Sequence, residues 1–229
     1  MQNDNDPAMI TMDAYSHIAS RYAHVHSVAT RSEFWREHLQ RFADVVRSSS
    51  IYKANPSLPI LDVGCGPGRD SLLLAQMGFN VIASDLSEAM LAEARKRCQN
   101  QPAVERITFR CMDMRALNLP DTSCAGLWAS ASFLHIPKRE NLVVLKEFIR
   151  VLAPTAPLML LVKESDSGED ERYEADQESG TSRFFARYRG GELWTLLEQA
   201  GLKVLEITTT IDTRFTDGRR WLAVLCTKD

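Results

Sequence analysis

The chain has 229 residues, 45% of them hydrophobic and 25% charged, with a net charge of −3. That is apolar chain for one large α/β domain or a domain with a lid, and the mild acidity argues against a nucleic-acid or anionic-membrane surface. The five cysteines (Cys65, Cys98, Cys111, Cys124 and Cys226) include no CxxC pair and read as reduced thiols. With no early signal-like apolar run and no membrane-length segment, a cytoplasmic protein is expected.

Residues Met1 to about Ala8 are polar and read as a frayed end. Asp13 to His26 is expected as a helix with Ile18, Tyr22 and Val25 on one face, and Ser32 to Arg47 as a second. Ser48-Ser49-Ser50 and Asn55-Pro56 then mark a loop. From Leu58 strand and helix alternate: strand Ile60 to Val63, helix Arg69 to Met77 stopped by Gly78, and strand Phe79 to Ser84. Ser87 caps a helix to about Cys98; strands Ile107 to Cys111 and Ala125 to Ser130 follow, then a helix opened by Pro137. The unbroken apolar run Leu158 to Val162 suits the buried centre of a parallel sheet. Ser165 to Ser182 is long and acidic and reads as a mobile lid or disordered loop. A helix from Leu193 is closed by Gly201, and β-rich runs Lys203 to Thr210 and Arg219 to Thr227 join through Asp217-Gly218 as a hairpin.

The stretch that bears on function is Leu61-Asp62-Val63-Gly64-Cys65-Gly66-Pro67-Gly68-Arg69-Asp70, between the first strand and its helix. Glycines at alternate positions let the backbone turn tightly and approach a ligand, and the helix aims free N–H groups at the same place. A dinucleotide fold wants G-x-G-x-x-G, but the third glycine here, Gly68, comes one residue early, and no Lys-Ser or Lys-Thr pair follows as a P-loop requires. Asp62 in the strand end repels a pyrophosphate and suits a cationic ligand. S-adenosylmethionine carries a sulfonium and an ammonium, and the ten residues closely resemble motif I of class I S-adenosylmethionine-dependent methyltransferases.

The resemblance covers about Leu58 to Leu161 well. It implies an α/β, doubly wound, mostly parallel seven-stranded sheet with an antiparallel C-terminal hairpin. Residues 1–57 would form an N-terminal helical cap, and 58–229 the core with a lid insertion at about 164–189. It implies S-adenosylmethionine as cofactor, cradled by Gly64, Cys65, Gly66 and Gly68. Asp85, ending the second strand, has the position to accept both ribose hydroxyls, with Leu86 beside it. The resemblance further implies that Asp113 accepts from the adenine amino group and that the Met114 N–H donates to the ring. It sets Asp62 near the amino-acid end and has the Ser130 carbonyl face the ammonium group. Tyr15-Ser16-His17-Ile18-Ala19-Ser20-Arg21-Tyr22 is similar to the helix covering the cofactor in many small-molecule methyltransferases, where Tyr15 or Tyr22 would meet the sulfonium by a cation–π contact or simply pack the helix.

Methyl transfer mainly requires bringing acceptor and methyl carbon together and stripping water from both. His135, on the loop after the fourth strand, is the candidate base if the acceptor holds a proton. Lys163 after the fifth strand, and Arg187 and Tyr188 in the basic-aromatic run Arg183 to Arg189, are candidate acceptor contacts. The remaining histidines show no metal-ligand spacing, so no metal is expected. The expected function is methyl transfer to a small molecule. The alternatives are a tRNA methyltransferase of the wobble-uridine type, which the Tyr-x-x-Ile-Ala-x-x-Tyr helix and Arg183 to Leu193 resemble, and a non-catalytic nucleotide-binding subunit.

Overall fold

The computed structural model describes residues 6–26, 33–165, 170–211 and 219–228. Helices α1 (Pro7–Val25), α2 (Glu33–Ser48) and α3 (Ser50–Ala54) precede strand β1 (Ile60–Val63). Then come α4 (Arg69–Gln76), β2 (Val81–Asp85), α5 (Glu88–Cys98), β3 (Ile107–Cys111), β4 (Gly126–Ser130), α6 (Asn141–Val151) and β5 (Pro157–Lys163). The chain continues through β6 (Glu171–Ala175), β7 (Ser182–Ala186), α7 (Gly190–Gln199), β8 (Leu202–Ile211) and β9 (Arg220–Lys228).

The main sheet has seven strands in the order β3-β2-β1-β4-β5-β9-β8. Its first five strands are parallel, and β9 runs antiparallel between β5 and β8. This is the expected doubly wound fold with its antiparallel end, though the Asp217-Gly218 turn lies outside the described residues. The strand order reverses between β1 and β4, and ligands bind at the carboxyl ends of strands flanking such a switch point. Every residue of β1 and β5 is buried, as strands covered on both faces require.

Four expectations change. Pro7 and Ala8, expected in a frayed end, belong to α1, buried and capped by the Asp6 side chain; residues 1–5 lie outside the described residues. The Ser50 region is helical because the Ser49 hydroxyl accepts from the Tyr52 N–H. Pro137 opens a single 3-10 turn, and α6 proper begins at Asn141. The acidic stretch expected as a loose lid or disordered loop contains β6 instead, paired antiparallel with β7. Its carboxylates find cations that sequence spacing does not show: Arg21 on α1 bonds Asp176 at 2.6 Å and also Glu178.

Helix α2 packs within the sheet's core. Phe42 and Val46 lie so close to β4 that a Cβ added at Gly126 would sit 2.9 Å from each. Helix α1 is held at several places. Arg115 bonds its Asp6 cap at 2.8 Å, Ser16 meets Ser87 at 2.8 Å, Thr11 accepts from the Phe184 N–H at 2.9 Å, and Arg97 donates to the Ala23 carbonyl at 2.7 Å.

Candidate active site

The carboxyl ends of β1, β2, β4 and β5, roofed by α1 and β7, enclose a cavity of about 360 Å³. Of the residues expected in a site, Tyr15, Tyr22, Asp62, Gly64, Cys65, Gly66, Asp85, Leu86, Asp113, Met114, Ser130, His135 and Lys163 line it. Gly68, Arg187 and Tyr188 do not.

The glycine loop is built from residues that side chains disfavour: Gly64, Gly66 and Gly68 have φ of +68°, +53° and +72°. Their neighbours differ. A Cβ at Gly64 would lie 2.2 Å from Ser132 Cβ and one at Gly68 2.8 Å from Ala94 Cβ, whereas one at Gly66 meets nothing within 4 Å. Gly68 therefore serves the packing of α4 on α5, and Gly66 leaves open space on the cavity wall.

Asp85 ends β2 with its carboxylate accepting the N–H of Gly66 and of Ser87, each at 2.8 Å. Burial pushes its pKa up, and the backbone donors pull it back down. Buried Asp62 accepts from the Ser71 hydroxyl at the start of α4. The Ser130 hydroxyl accepts from the Trp35 indole at 2.8 Å, which pins the mouth of β4 to α2. Asp113 lines the cavity, but its carboxylate is clasped by Arg115 through the backbone N–H at 2.9 Å and the guanidinium at 2.7 Å. The same guanidinium reaches Asp6 and Glu140, so the β3 end, α1 and the start of α6 share one cation.

His135 and Tyr15 form a pair. The ring Nδ1 lies 2.7 Å from the Phe184 carbonyl, so it carries the proton, and Nε2 accepts from the Tyr15 hydroxyl at 3.0 Å. Burial pushes His135 down to about 3 and the Tyr15 hydroxyl up. The pH–rate profile is therefore expected to show no histidine inflection between pH 5 and 8; an apparent pKa near 6.5 that disappears in His135→Gln would contradict this geometry.

Two acceptor contacts expected from the sequence are corrected. Tyr188 is fully buried, its hydroxyl donating to Asn141 at 3.1 Å and its ring stacked on Phe133. Arg187 is buried and bonds Glu174 at 2.9 Å. Arg183 and Phe185, at alternate positions of β7, do line the cavity; Arg187 has the same parity but lies past the end of the strand. Lys163 bonds Glu174 at 2.8 Å and lies 3.6 Å from the centre of the Phe185 ring. Burial lowers the Lys163 pKa to about 8 against the pull of Glu174.

Burial alone would raise the Glu174 carboxyl; Lys163 and Arg187 outweigh it and hold it at about 2. A depressed folded-state pKa means stability present above pH 4.5 and lost as pH falls toward 2. Glu174→Gln is expected to lower stability at pH 7 by about 1–2 kcal/mol and to flatten that acid limb. Urea midpoints from pH 7 to 3 test this; parallel profiles for the two proteins would refute it.

Residues 60–155 match the family described as a methyltransferase domain. That stretch is less than half of the chain, and it is similar to a methyltransferase domain. Among curated relatives, the Streptomyces halstedii methyltransferase GfsG is 32% identical over 65% of this chain and 54% of its own length. The chain spans about half the length, or less, of the first relatives it matches. Among solved structures, the Burkholderia thailandensis 1,6-didemethyltoxoflavin-N1-methyltransferase superposes with a TM-score of 0.69 at 20% identity, covering 100% of this chain and 92% of that one. The [4+2]-cyclase SpnF superposes at 0.72 with 16% identity, covering 98% and 97%. The chain thus shares its fold with proteins named for differing chemistries, and its own chemistry must be argued from its cavity. Among its described residues no group of three or more His, Cys, Asp or Glu is placed to hold a metal, and no helix is long and apolar enough to cross a membrane.

Proposed function

We propose that this protein binds S-adenosylmethionine in the cavity and transfers its methyl group to a small-molecule acceptor. The observation that carries this reading is Asp85: a half-buried carboxylate at the end of β2, beside the open face of Gly66, whose backbone donors leave lone pairs for two ribose hydroxyls. The rest of that half of the cavity fits the same ligand. Leu86, Met90, Met112 and Met114 supply apolar surface for a purine, and the Met114 N–H is the expected donor to its ring. Asp113 would turn to the adenine amino group only with oxygen lone pairs that Arg115 leaves over, so we assign it chiefly to holding Arg115. Asp62, Tyr15 and Tyr22 stand where the cationic end would lie.

When bound, the cofactor supplies a methyl carbon activated by its sulfonium. The protein's own share is positioning and the exclusion of water, for which α1 and the β6–β7 hairpin provide the roof. An acceptor proton would reach His135 through the Tyr15 hydroxyl, since Tyr15 already occupies Nε2. The roof favours a free small molecule over a base presented on tRNA. All five cysteines are free thiols, which supports the cytoplasmic placement. The test is incubation with S-adenosyl[methyl-³H]methionine and a panel of phenols, carboxylic acids, amines and N-heterocycles. Labelled product with equimolar S-adenosylhomocysteine is expected; cofactor binding without turnover on any class would favour a binding subunit.

A further inference from the structure

This inference rests on the methyltransferase reading and names its acceptor class. We propose that the acceptor is an aromatic carboxylate, its carboxylate held by Arg183 and the indole N–H of Trp221.

Besides the aspartates at the ends of β1 and β2, the start of α4 and the segment after β3, the described residues lining the cavity include Lys163, Arg183, Arg219 and Glu174. Glu174 is already engaged by Lys163 and Arg187. Asp176, whose charge also acts on Arg183, is bonded by Arg21. Arg183 makes no ion pair among the described residues. Its one hydrogen bond runs to the Tyr15 hydroxyl at 3.5 Å, and its Nε is buried with no partner. Arg183 is half-buried and has no ion pair of its own, so a ligand carboxylate would give its guanidinium a direct counter-charge. The rings of Tyr15 and Phe185, with centroids 5.2 and 5.6 Å from the guanidinium carbon, hold it in place.

Trp221 is an independent observation from another strand. It lines the same cavity, is 8% exposed, and its indole N–H is buried without a partner. Its ring packs edge-on against Trp35 at 4.9 Å, which fixes its orientation. Two unpartnered donors on one cavity call for acceptor oxygens. The aromatic surfaces of Trp35, Phe185 and Trp221 beside them suit a planar ring. His135 is neutral and adds no competing charge.

The test uses wild-type protein saturated with S-adenosylhomocysteine and titrated calorimetrically with benzoate, cinnamate and 4-hydroxybenzoate, each against its neutral amide. At least one acid is expected to bind tenfold or more tightly than its amide. Arg183→Met should abolish that preference while changing S-adenosylhomocysteine affinity less than threefold. Trp221→Phe, which keeps the ring and removes the N–H, should weaken the acid three- to tenfold and serves if Arg183→Met does not fold. Acids binding no better than amides, or an unchanged preference in a folded variant, would overturn the proposal. Failure to bind S-adenosylhomocysteine would instead remove the reading beneath it.

Discussion

Asp85→Ala is expected to weaken S-adenosylhomocysteine binding at least 100-fold. A hydrogen bond to a charged acceptor contributes about 1.5–3 kcal/mol, and in the proposed complex this carboxylate would accept one from each ribose hydroxyl. The substitution also frees the Gly66 and Ser87 N–H groups, loosening the loop that faces the ligand. A ligand at 100 times its Kd stabilises the folded state by about 2.7 kcal/mol, so the wild type should melt several degrees higher with ligand and Asp85→Ala should not. Asp85→Asn keeps one acceptor oxygen and should lose less. A folded Asp85→Ala that retains affinity within fivefold would show that the ribose is held elsewhere.

Gly64→Ala and Gly66→Ala are expected to fail in different ways. Both residues sit at positive φ, which costs an alanine about 1 kcal/mol. At Gly64 the new methyl would also overlap Ser132 Cβ at 2.2 Å, and Ser132 is fixed by its hydroxyl's bond to the Val63 carbonyl at 2.7 Å. Relieving that overlap displaces backbone, for a total of about 3–4 kcal/mol of lost stability. At Gly66 the methyl enters open cavity, so the fold should lose only about 1 kcal/mol while affinity falls tenfold or more. Chemical denaturation paired with ligand titration separates the two. Equal stability losses, or undiminished binding by Gly66→Ala, would contradict the assignment of these glycines.

What the sequence made legible was local. The loop 64–68, Asp85 and the strand ends are written in adjacent residues, because turn chemistry and the strand-to-helix passage need particular residue types at fixed spacing. What it left illegible depends on partners far along the chain. Tyr15 meets His135, Arg21 meets Asp176, and Arg115 joins Asp6 to Glu140. No periodicity relates such pairs, so the acidic stretch that forms β6 looked like unpaired charge and Asp113 looked free to serve a ligand. Arg187 illustrates a subtler limit. Alternation alone would put Arg183, Phe185 and Arg187 on one face; that Arg187 falls past the end of β7 and bonds Glu174, while the other two line the cavity, depends on where the strand stops and on a partner 13 residues away.

The central claim, that this cavity is an S-adenosylmethionine site, is tested most directly by calorimetric titration of the wild-type protein with S-adenosylhomocysteine, with NAD as the competing ligand. One saturable site per chain for S-adenosylhomocysteine, and no heat from NAD at the same concentrations, is the predicted result. No binding of S-adenosylhomocysteine, or saturable binding of NAD in its place, would contradict the account.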